Sequence, residues 1–175
     1  MSVVKAFNGE MIDVGECMGC TKAKSVGNID ISPGEIVRTK NFDISQDFEL
    51  PINGFIIIGS VRHIESINEM TTEEKQELIT LIDVVIMSLK KIGVCSQYDV
   101  VWEEKAGNHF HAWLMPRHKY LLEAMGTNIM KKIGELFAYA KNNLRTEENL
   151  NTIYKTIDLL KLELKSNKTI KDIIL

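Results

Sequence analysis

The sequence predicts an α+β fold, in which an antiparallel sheet of about five strands packs against one long helix and a helical C-terminal extension follows. Three observations carry this prediction. Strand-like segments recur up to residue 116, a capped amphipathic helix interrupts them, and the pattern becomes helical beyond Tyr120. We therefore expect residues 1–119 to form a sheet-containing domain and residues 120–175 to form the extension.

The predicted strands are short runs of β-branched and aromatic residues between turn signals. Ser32-Pro33-Gly34 is a turn signal before the first run, and Pro116 ends the last. The third run is apolar throughout, which is typical of a strand buried on both faces. The five segments are Glu35–Lys40, Phe42–Phe48, Gly54–Gly59, Tyr98–Glu103 and His109–Met115.

The long helix has clear ends in the sequence. Thr71 and Glu74 have the spacing of a capping box, and Gly93 is a natural stop. Between them, apolar residues recur at gaps of three and four, which predicts a helix with one face against a core. These residues are Leu78, Ile82, Val85, Leu89 and Ile92.

The C-terminal extension is predicted to contain two helices. The first, Leu122–Leu144, contains two glycines that disfavour helix, and the second is Thr146–Leu164. An isolated amphipathic helix is marginal in water. Its apolar stripe must therefore cover the domain's own surface, a second subunit or a partner. That stripe consists of Leu150, Ile153, Ile157, Leu160 and Leu164.

Composition excludes several classes of function. The 175 residues are 45% hydrophobic, which suits one globular domain with an appendage. A net charge of -3 gives no global attraction to nucleic acid or to an anionic membrane. No apolar run reaches the roughly 18 residues of a membrane span, the first residues do not resemble a signal peptide, and three cysteines argue against a disulfide framework. We expect a cytoplasmic protein that binds neither membranes nor nucleic acids.

Three of the four histidines lie between residues 109 and 118. In a strand, alternate side chains share a face, so His109, His111 and Trp113 are predicted to point one way and the intervening apolar residues the other. Two half-exposed strand histidines without a function are the simplest alternative. The density of imidazoles favours a functional site over that alternative.

The segment His109–Arg117 resembles the signature of histidine triad proteins, in which histidines alternate with apolar residues and Pro-Arg often follows. Residues 54–67 resemble the family's apolar strand, which leads to a basic-His pair and then to the long helix. The resemblance runs from about Cys17 to Arg117 and does not cover the chain beyond Tyr120. It implies a homodimer that acts on a nucleotide or dinucleotide.

A metal site follows from the same resemblance. Alone, Cys17 and Cys20 fit a redox pair or loop cysteines as well as metal ligands, and His63 fits a surface histidine. Some bacterial triad proteins and the galactose-1-phosphate uridylyltransferases bind structural zinc through such a pair, a histidine before the long helix and the first histidine of the motif. The matching residues are Cys17, Cys20, His63 and His109. Such a closed site of two thiolates and two imidazoles is structural, because it has no position for water.

With His109 assigned to zinc, His111 remains as the nucleophile that the resemblance implies. It would attack the α-phosphorus of a nucleotide and form a nucleotidyl-histidine intermediate. Its other ring nitrogen needs an acceptor such as a backbone carbonyl. We expect a nucleotide phosphohydrolase, acting on dinucleoside polyphosphates or nucleoside monophosphate derivatives. A nucleotidyltransferase or phosphorylase, and a non-catalytic nucleotide-binding protein, are the alternatives.

Trp113 occupies the place of the third histidine of the triad. That place usually holds glutamine in uridylyltransferases and dinucleoside polyphosphate phosphorylases, so a third histidine is not needed for the first chemical step. Trp113 is expected to stack on a base, to wall the pocket, or to pack against the extension. Because the extension follows the histidine strand closely, it could also shape this pocket.

The remaining predicted residues would hold the nucleotide. Asp47 stands where the family carries an aspartate that holds the ribose hydroxyls. Lys105, the backbone N–H of Gly107, Asn108 and Arg117 flank the histidine strand and would donate to phosphate, although Lys105 and Arg117 also fit ordinary surface charges. His118 would be either a proton donor to the leaving group or an exposed histidine.

Overall fold

The computed structural model describes residues 2–25, 32–102 and 109–175. These residues form seven strands and five α-helices. The strands are β1 (Val3–Lys5), β2 (Met11–Asp13), β3 (Glu35–Arg38), β4 (Phe42–Gln46), β5 (Ile56–Ser60), β6 (Tyr98–Trp102) and β7 (His111–Pro116). The helices are α1 (Met18–Lys24), α2 (Thr72–Lys91), α3 (Lys119–Met125), α4 (Ile133–Asn143) and α5 (Glu147–Ser166).

The main sheet has the strand order β3-β4-β5-β7-β6, and all neighbours are antiparallel. This confirms the predicted α+β fold with five antiparallel strands. The hairpin β1–β2 forms a separate two-stranded sheet that the sequence analysis did not predict.

The two faces of the sheet have different environments because side chains alternate along each strand. One face packs against α2 and α5 and forms the larger core, to which Phe42, Ile58 and Leu114 belong. The other face is covered in part by α3 and α4, which form a second apolar cluster with Met115 and Leu136. Strand β5 therefore has only one fully covered face, and its half-buried Ile57 lies on the other.

Helix α2 has the ends that the sequence predicted. The Thr71 hydroxyl accepts from the N–H of Glu74, and the Glu74 carboxylate accepts from the N–H of Thr71, so the capping box is complete. After the helix, Gly93 has a φ of 79°, a left-handed conformation that favours glycine. The helix buries Leu78, Val85 and other apolar residues against the sheet.

Helix α5 covers the domain's own surface. Its residues Ile153, Ile157, Leu160 and Leu164 are buried in the larger core, where α5 contacts α2 and β3. Of the three options for the apolar stripe, the structure shows the first. Beyond α5, Ile174 bridges to Thr39, and the N–H of Leu175 donates to the carbonyl of Arg38 over 2.8 Å, so this segment borders β3.

The expected single helix Leu122–Leu144 is instead broken. Gly126 has a φ of 84° and ends α3, and a short 3-10 turn, Ile129–Lys132, leads into α4. The break lets α3 and α4 pack over one apolar cluster rather than extend past it. Among the described residues, no helix is both long and apolar enough to cross a membrane.

Candidate active site and metal site

A pocket of about 360 Å³ lies on the sheet face opposite α2. Residues of α1 line one side of it, residues of α4 line another, and the loop after β4 contributes a third. Its floor is formed by Asp43 of β4 and by residues of β5 and β7. The lining residues are Met18, Gly19, Lys22, Asp43, Asp47, Phe48, Glu49, Leu50, Ile57, Gly59, Ser60, His109, His111, Trp113, Phe137 and Lys141.

The pairing of the strands sets the order of side chains on this floor. Asp43 pairs with Gly59, and Gly59 pairs with His111, so the three residues form one row across the sheet. A Cβ placed on Gly59 would have no described atom within 4 Å. Glycine therefore leaves open space between an acidic side chain and a histidine.

His111 is half-buried at one end of this row. Its Nδ1 lies 3.0 Å from the carbonyl oxygen of His109, so Nδ1 carries the proton and donates it. Nε2 then holds the free lone pair. The structure thus supplies the backbone acceptor that the sequence analysis required for this histidine. The Trp113 ring lies beside it, with a centroid separation of 5.8 Å.

The four predicted metal ligands lie together. Atoms that could bind a metal in Cys17, Cys20, His63 and His109 all lie within 4.8 Å of one another. His63 Nδ1 is 3.7 Å from the sulfur of Cys17 and 3.2 Å from that of Cys20, and His109 Nδ1 is 3.4 Å and 3.6 Å from the same two atoms. Tetrahedral zinc places sulfur and nitrogen ligands about 3.5 Å apart. The cluster therefore fits a structural zinc ion.

The surroundings of His109 also suit a metal ligand. Its Nε2–H donates to the carbonyl of Ser60 over 2.6 Å, which leaves Nδ1 deprotonated toward the cysteines. Burial lowers the pKa of His109, which favours the neutral imidazole that metals bind. A Cβ on Gly19 would lie 2.4 Å from the His109 ring, so the Cys-x-x-Cys loop needs glycine at this position to approach the histidine.

Asp47 lies in the pocket wall and has a structural contact of its own. Its Oδ1 accepts from the N–H groups of Glu49 (2.9 Å) and Leu50 (2.7 Å), which holds the turn after β4. Burial raises the pKa of its carboxyl group to about 6. Asp47 is partly exposed to the pocket, and among the contacts of the described residues its Oδ2 has no hydrogen bond.

The pocket also contains charged and aromatic residues that the sequence analysis missed. Lys22 of α1 approaches Asp43 and Ser45, Lys141 of α4 pairs with Glu49 over 2.6 Å, and Phe137 contacts Trp113 with ring centroids 5.7 Å apart. The helical pattern marked Phe137 only as one of many apolar residues of the extension. The extension therefore shapes the pocket beside Trp113, as expected from its position in the chain.

Two predicted residues lie elsewhere. Arg117 pairs with Asp99 over 2.9 Å and donates to the carbonyl of Thr127, outside the pocket that holds His111. His118 Nε2 bonds the carbonyl of Asn53 over 2.7 Å, and its ring stacks on Tyr120. Lys105, Gly107 and Asn108 lie outside the described residues. Phosphate binding by Lys105, Gly107, Asn108 and Arg117 remains a prediction.

Comparison with known proteins identifies the fold. No protein-family model and no curated protein matches the sequence. Among solved structures, the chain is similar to a Zn-bound histidine triad family protein from Mycobacterium smegmatis, with 13% identity and a TM-score of 0.55 over 84% of this chain and 96% of that one. It is also similar to a HIT family protein from Bacillus anthracis, with 18% identity and a TM-score of 0.51 over 82% and 95%.

A third similar structure is a Hit-like protein from Bartonella henselae, with 12% identity and a TM-score of 0.51 over 75% of this chain and 86% of that one. The resemblance to histidine triad proteins is thus confirmed as a shared fold. The similarity extends beyond the segment between Cys17 and Arg117, because 84% of the chain aligns with the first structure.

Proposed function

Since the chain has the histidine triad fold, we propose that it is a nucleotide phosphohydrolase that acts through a nucleotidyl-His111 intermediate. One observation carries this proposal. His111 lines the pocket with Nδ1 bound to a backbone carbonyl, and this contact directs the lone pair to Nε2. That arrangement makes a neutral imidazole a nucleophile of fixed tautomer.

The proposed reaction has two displacements at phosphorus. In the first, the Nε2 lone pair attacks the α-phosphorus, and the bond from that phosphorus to the leaving oxygen breaks. In the second, a water oxygen attacks the same phosphorus and releases a proton to solvent, the phosphorus–nitrogen bond breaks with its electron pair returning to Nε2, and the nucleoside monophosphate leaves. The first step makes the ring of His111 an imidazolium. Its Nδ1–H donates to the carbonyl of His109 in both steps.

The two ends of the pocket differ in polarity. His111, Asp43 and Lys22 form a polar end, which suits phosphate, while Trp113 and Phe137 lie at an apolar end, which suits a base. We assign the ribose hydroxyls to the acceptor Oδ2 of Asp47, since its Oδ1 is already used by the backbone. Asp43 also lines the pocket, so Asp47→Asn and Asp43→Asn should be compared for binding of AMP and 2′-deoxy-AMP.

The metal site of this protein is proposed to hold one structural zinc ion through Cys17, Cys20, His63 and His109. Bound zinc would contribute a fixed link between the Cys-x-x-Cys loop, the segment after β5 and the start of the histidine motif. All four ligands come from the protein, so the residues that do chemistry are those of the pocket. The observation in support is the set of four sulfur–nitrogen distances between 3.2 and 3.7 Å.

A homodimer is the proposed assembly. Helix α2 exposes Ile79 and Met87, and the edge strand β6 exposes Val100 and Trp102. Exposed apolar residues on a helix and on a sheet edge are typical of surfaces that another subunit covers. Sedimentation of the native protein and of a Trp102→Glu variant tests this assembly, because the variant should remain monomeric.

Covalent trapping tests the proposed function. The native protein is quenched in base during turnover of diadenosine polyphosphates labelled at the α-phosphorus, and the labelled peptide is identified by mass spectrometry. We expect label on His111. The His111→Asn variant should keep the fold and lose at least about a thousandfold in turnover.

His118→Asn is the matched control, because this histidine lies outside the pocket. It should retain native turnover and native labelling. Label on another residue, or near-native turnover by His111→Asn, would contradict the proposal. Product analysis with phosphate as acceptor separates hydrolysis from phosphorolysis, and binding of nucleotide without labelling or turnover would indicate a non-catalytic binding protein.

A further inference from the structure

Helix α1 connects the metal site to the pocket. Cys17 is its N-cap residue and Cys20 lies in its first turn, while Met18, Gly19 and Lys22 of the same segment line the pocket. Every residue of α1 is half-buried or exposed, and the helix has only seven residues. So short a helix is not stable by itself. Its position must depend on the contacts that hold its side chains.

Lys22 makes the contact that joins this helix to the pocket floor. Its Nζ lies 2.5 Å from the hydroxyl of Ser45 and 3.3 Å from the carboxylate of Asp43, both on β4. The side chains of Lys22 and Asp43 are only 11% and 13% exposed, so the pair is largely removed from water. Pairs buried in this way rarely add stability over apolar residues, because desolvation offsets the attraction. Stability alone therefore does not explain the presence of this pair.

The row of Asp43, Gly59 and His111 on the pocket floor indicates a function for the pair. Asp43 faces His111 across Gly59, so the orientation of Asp43 helps to define the polar end of the pocket. Lys22 forms an ion pair with this carboxylate, and its ammonium group places a positive charge at the end of the pocket where phosphates are proposed to bind. Removing Lys22 would leave the carboxylate of Asp43 largely desolvated and without its cation, with its negative charge facing an anionic ligand.

We infer that Lys22 is a positioning residue through which the metal site sets the affinity of the pocket for nucleotides. Ligation of Cys17 and Cys20 fixes α1, α1 fixes Lys22, and Lys22 orients and neutralises Asp43. This inference rests on the proposed nucleotide site. Because linkage is reciprocal, zinc should raise nucleotide affinity by the same factor by which nucleotide raises zinc affinity.

The test compares AMP binding by calorimetry in zinc-loaded and zinc-stripped full-length protein. Native protein should lose at least tenfold in AMP affinity when zinc is removed. Zinc-loaded Lys22→Met should show a similar loss of AMP affinity while still holding one zinc per chain. Removing zinc from this variant should weaken its AMP binding by less than a further threefold. Lys22→Arg, which keeps the charge, should recover most of the affinity.

Lys24→Met is the matched control, because Lys24 is an exposed lysine of the same helix. It should behave as the native protein does. Native AMP affinity in zinc-loaded Lys22→Met would overturn the inference. So would an equal loss on zinc removal in the native protein and in Lys22→Met.

A second measurement does not depend on nucleotide. The Lys22 ammonium, buried against Asp43 and Ser45, should give a slowly exchanging ¹⁵N resonance in the zinc-loaded protein, assigned by its absence in Lys22→Met. Removal of zinc should abolish this resonance, and its persistence would overturn the inference. If the resonance depends on zinc but native protein binds no nucleotide, the proposed function fails while the link between metal and Lys22 stands.

Discussion

Gly59 allows the proposed substrate position to be tested by adding atoms rather than removing them. It lies between Asp43 and His111, whose Cα atoms are two strand spacings, or about 10 Å, apart. A Cβ here would have no described atom within 4 Å, so the first added carbon has free space, and Gly59→Val adds three carbons to the pocket. Valine also favours strands over glycine by up to about 1 kcal/mol, so stability should be unchanged or slightly higher.

The bound nucleotide should clash with these carbons, because Gly59 pairs with His111 on the pocket floor, where the α-phosphate is proposed to bind. Overpacking of a fitted site costs about 1–3 kcal/mol, which corresponds to roughly 5- to 150-fold weaker binding. Gly59→Ala should show a smaller loss than Gly59→Val. Calorimetric titration with AMP and thermal unfolding measure the two properties separately.

Gly134→Ala is the matched control, because Gly134 also faces open space but lies on the exposed side of α4. It should leave AMP affinity unchanged. Native affinity in stable Gly59→Val would show that the nucleotide does not lie over the centre of the pocket. A large loss of stability in that variant would refute the argument that the space is free.

Three further predictions concern the metal, the carboxylate and the extension. Freshly purified protein should carry about one zinc per chain by elemental analysis, and Cys17→Ser/Cys20→Ser should lose both the metal and thermal stability; metal-free native protein contradicts this. As the pH rises from 4 to about 6, the native protein should lose about 1–3 kcal/mol of unfolding free energy relative to Asp47→Asn, because the folded state holds the Asp47 proton more tightly than the unfolded state. The same pH dependence of unfolding free energy in both proteins would refute this. Leu160→Ala should cost about 2–4 kcal/mol and Leu162→Ala, at an exposed position, much less; equal costs would mean that α5 is not packed as described.

Local chemistry made much of the fold predictable. The capping box at Thr71 and the periodic apolar residues after it fixed the bounds of α2 to within one residue of those observed, because both signals act within a few residues of chain. Alternation along β7 likewise placed His111 and Trp113 on one face and Ala112 and Leu114 on the other. The metal ligands could be grouped only through the resemblance, since Cys20 and His63 are 43 positions apart in the chain.

The parts that escaped prediction depend on contacts between distant segments. Neither α1 nor a role for Lys22 was predicted from the sequence, and the pairing of Lys22 with Asp43 appears only when α1 folds over β4. Phe137 and Lys141 enter the pocket because α4 crosses it, a packing that helical periodicity does not specify. The break at Gly126 was visible as a weak point, but its backbone conformation depends on the packing of α3 and α4 against one cluster.

The two edges of the sheet have different capacities for growth. The β3 edge is four residues long, its register shifts between Glu35 and Val37, and its end is occupied by the segment of Ile174. These are devices by which proteins block strand addition. The β6 edge is the regular one and exposes Val100 and Trp102. If a second copy pairs its own β6 with this edge, both regular edges are buried in the contact. The combined sheet then ends in a β3 edge on each side, so no third chain can add.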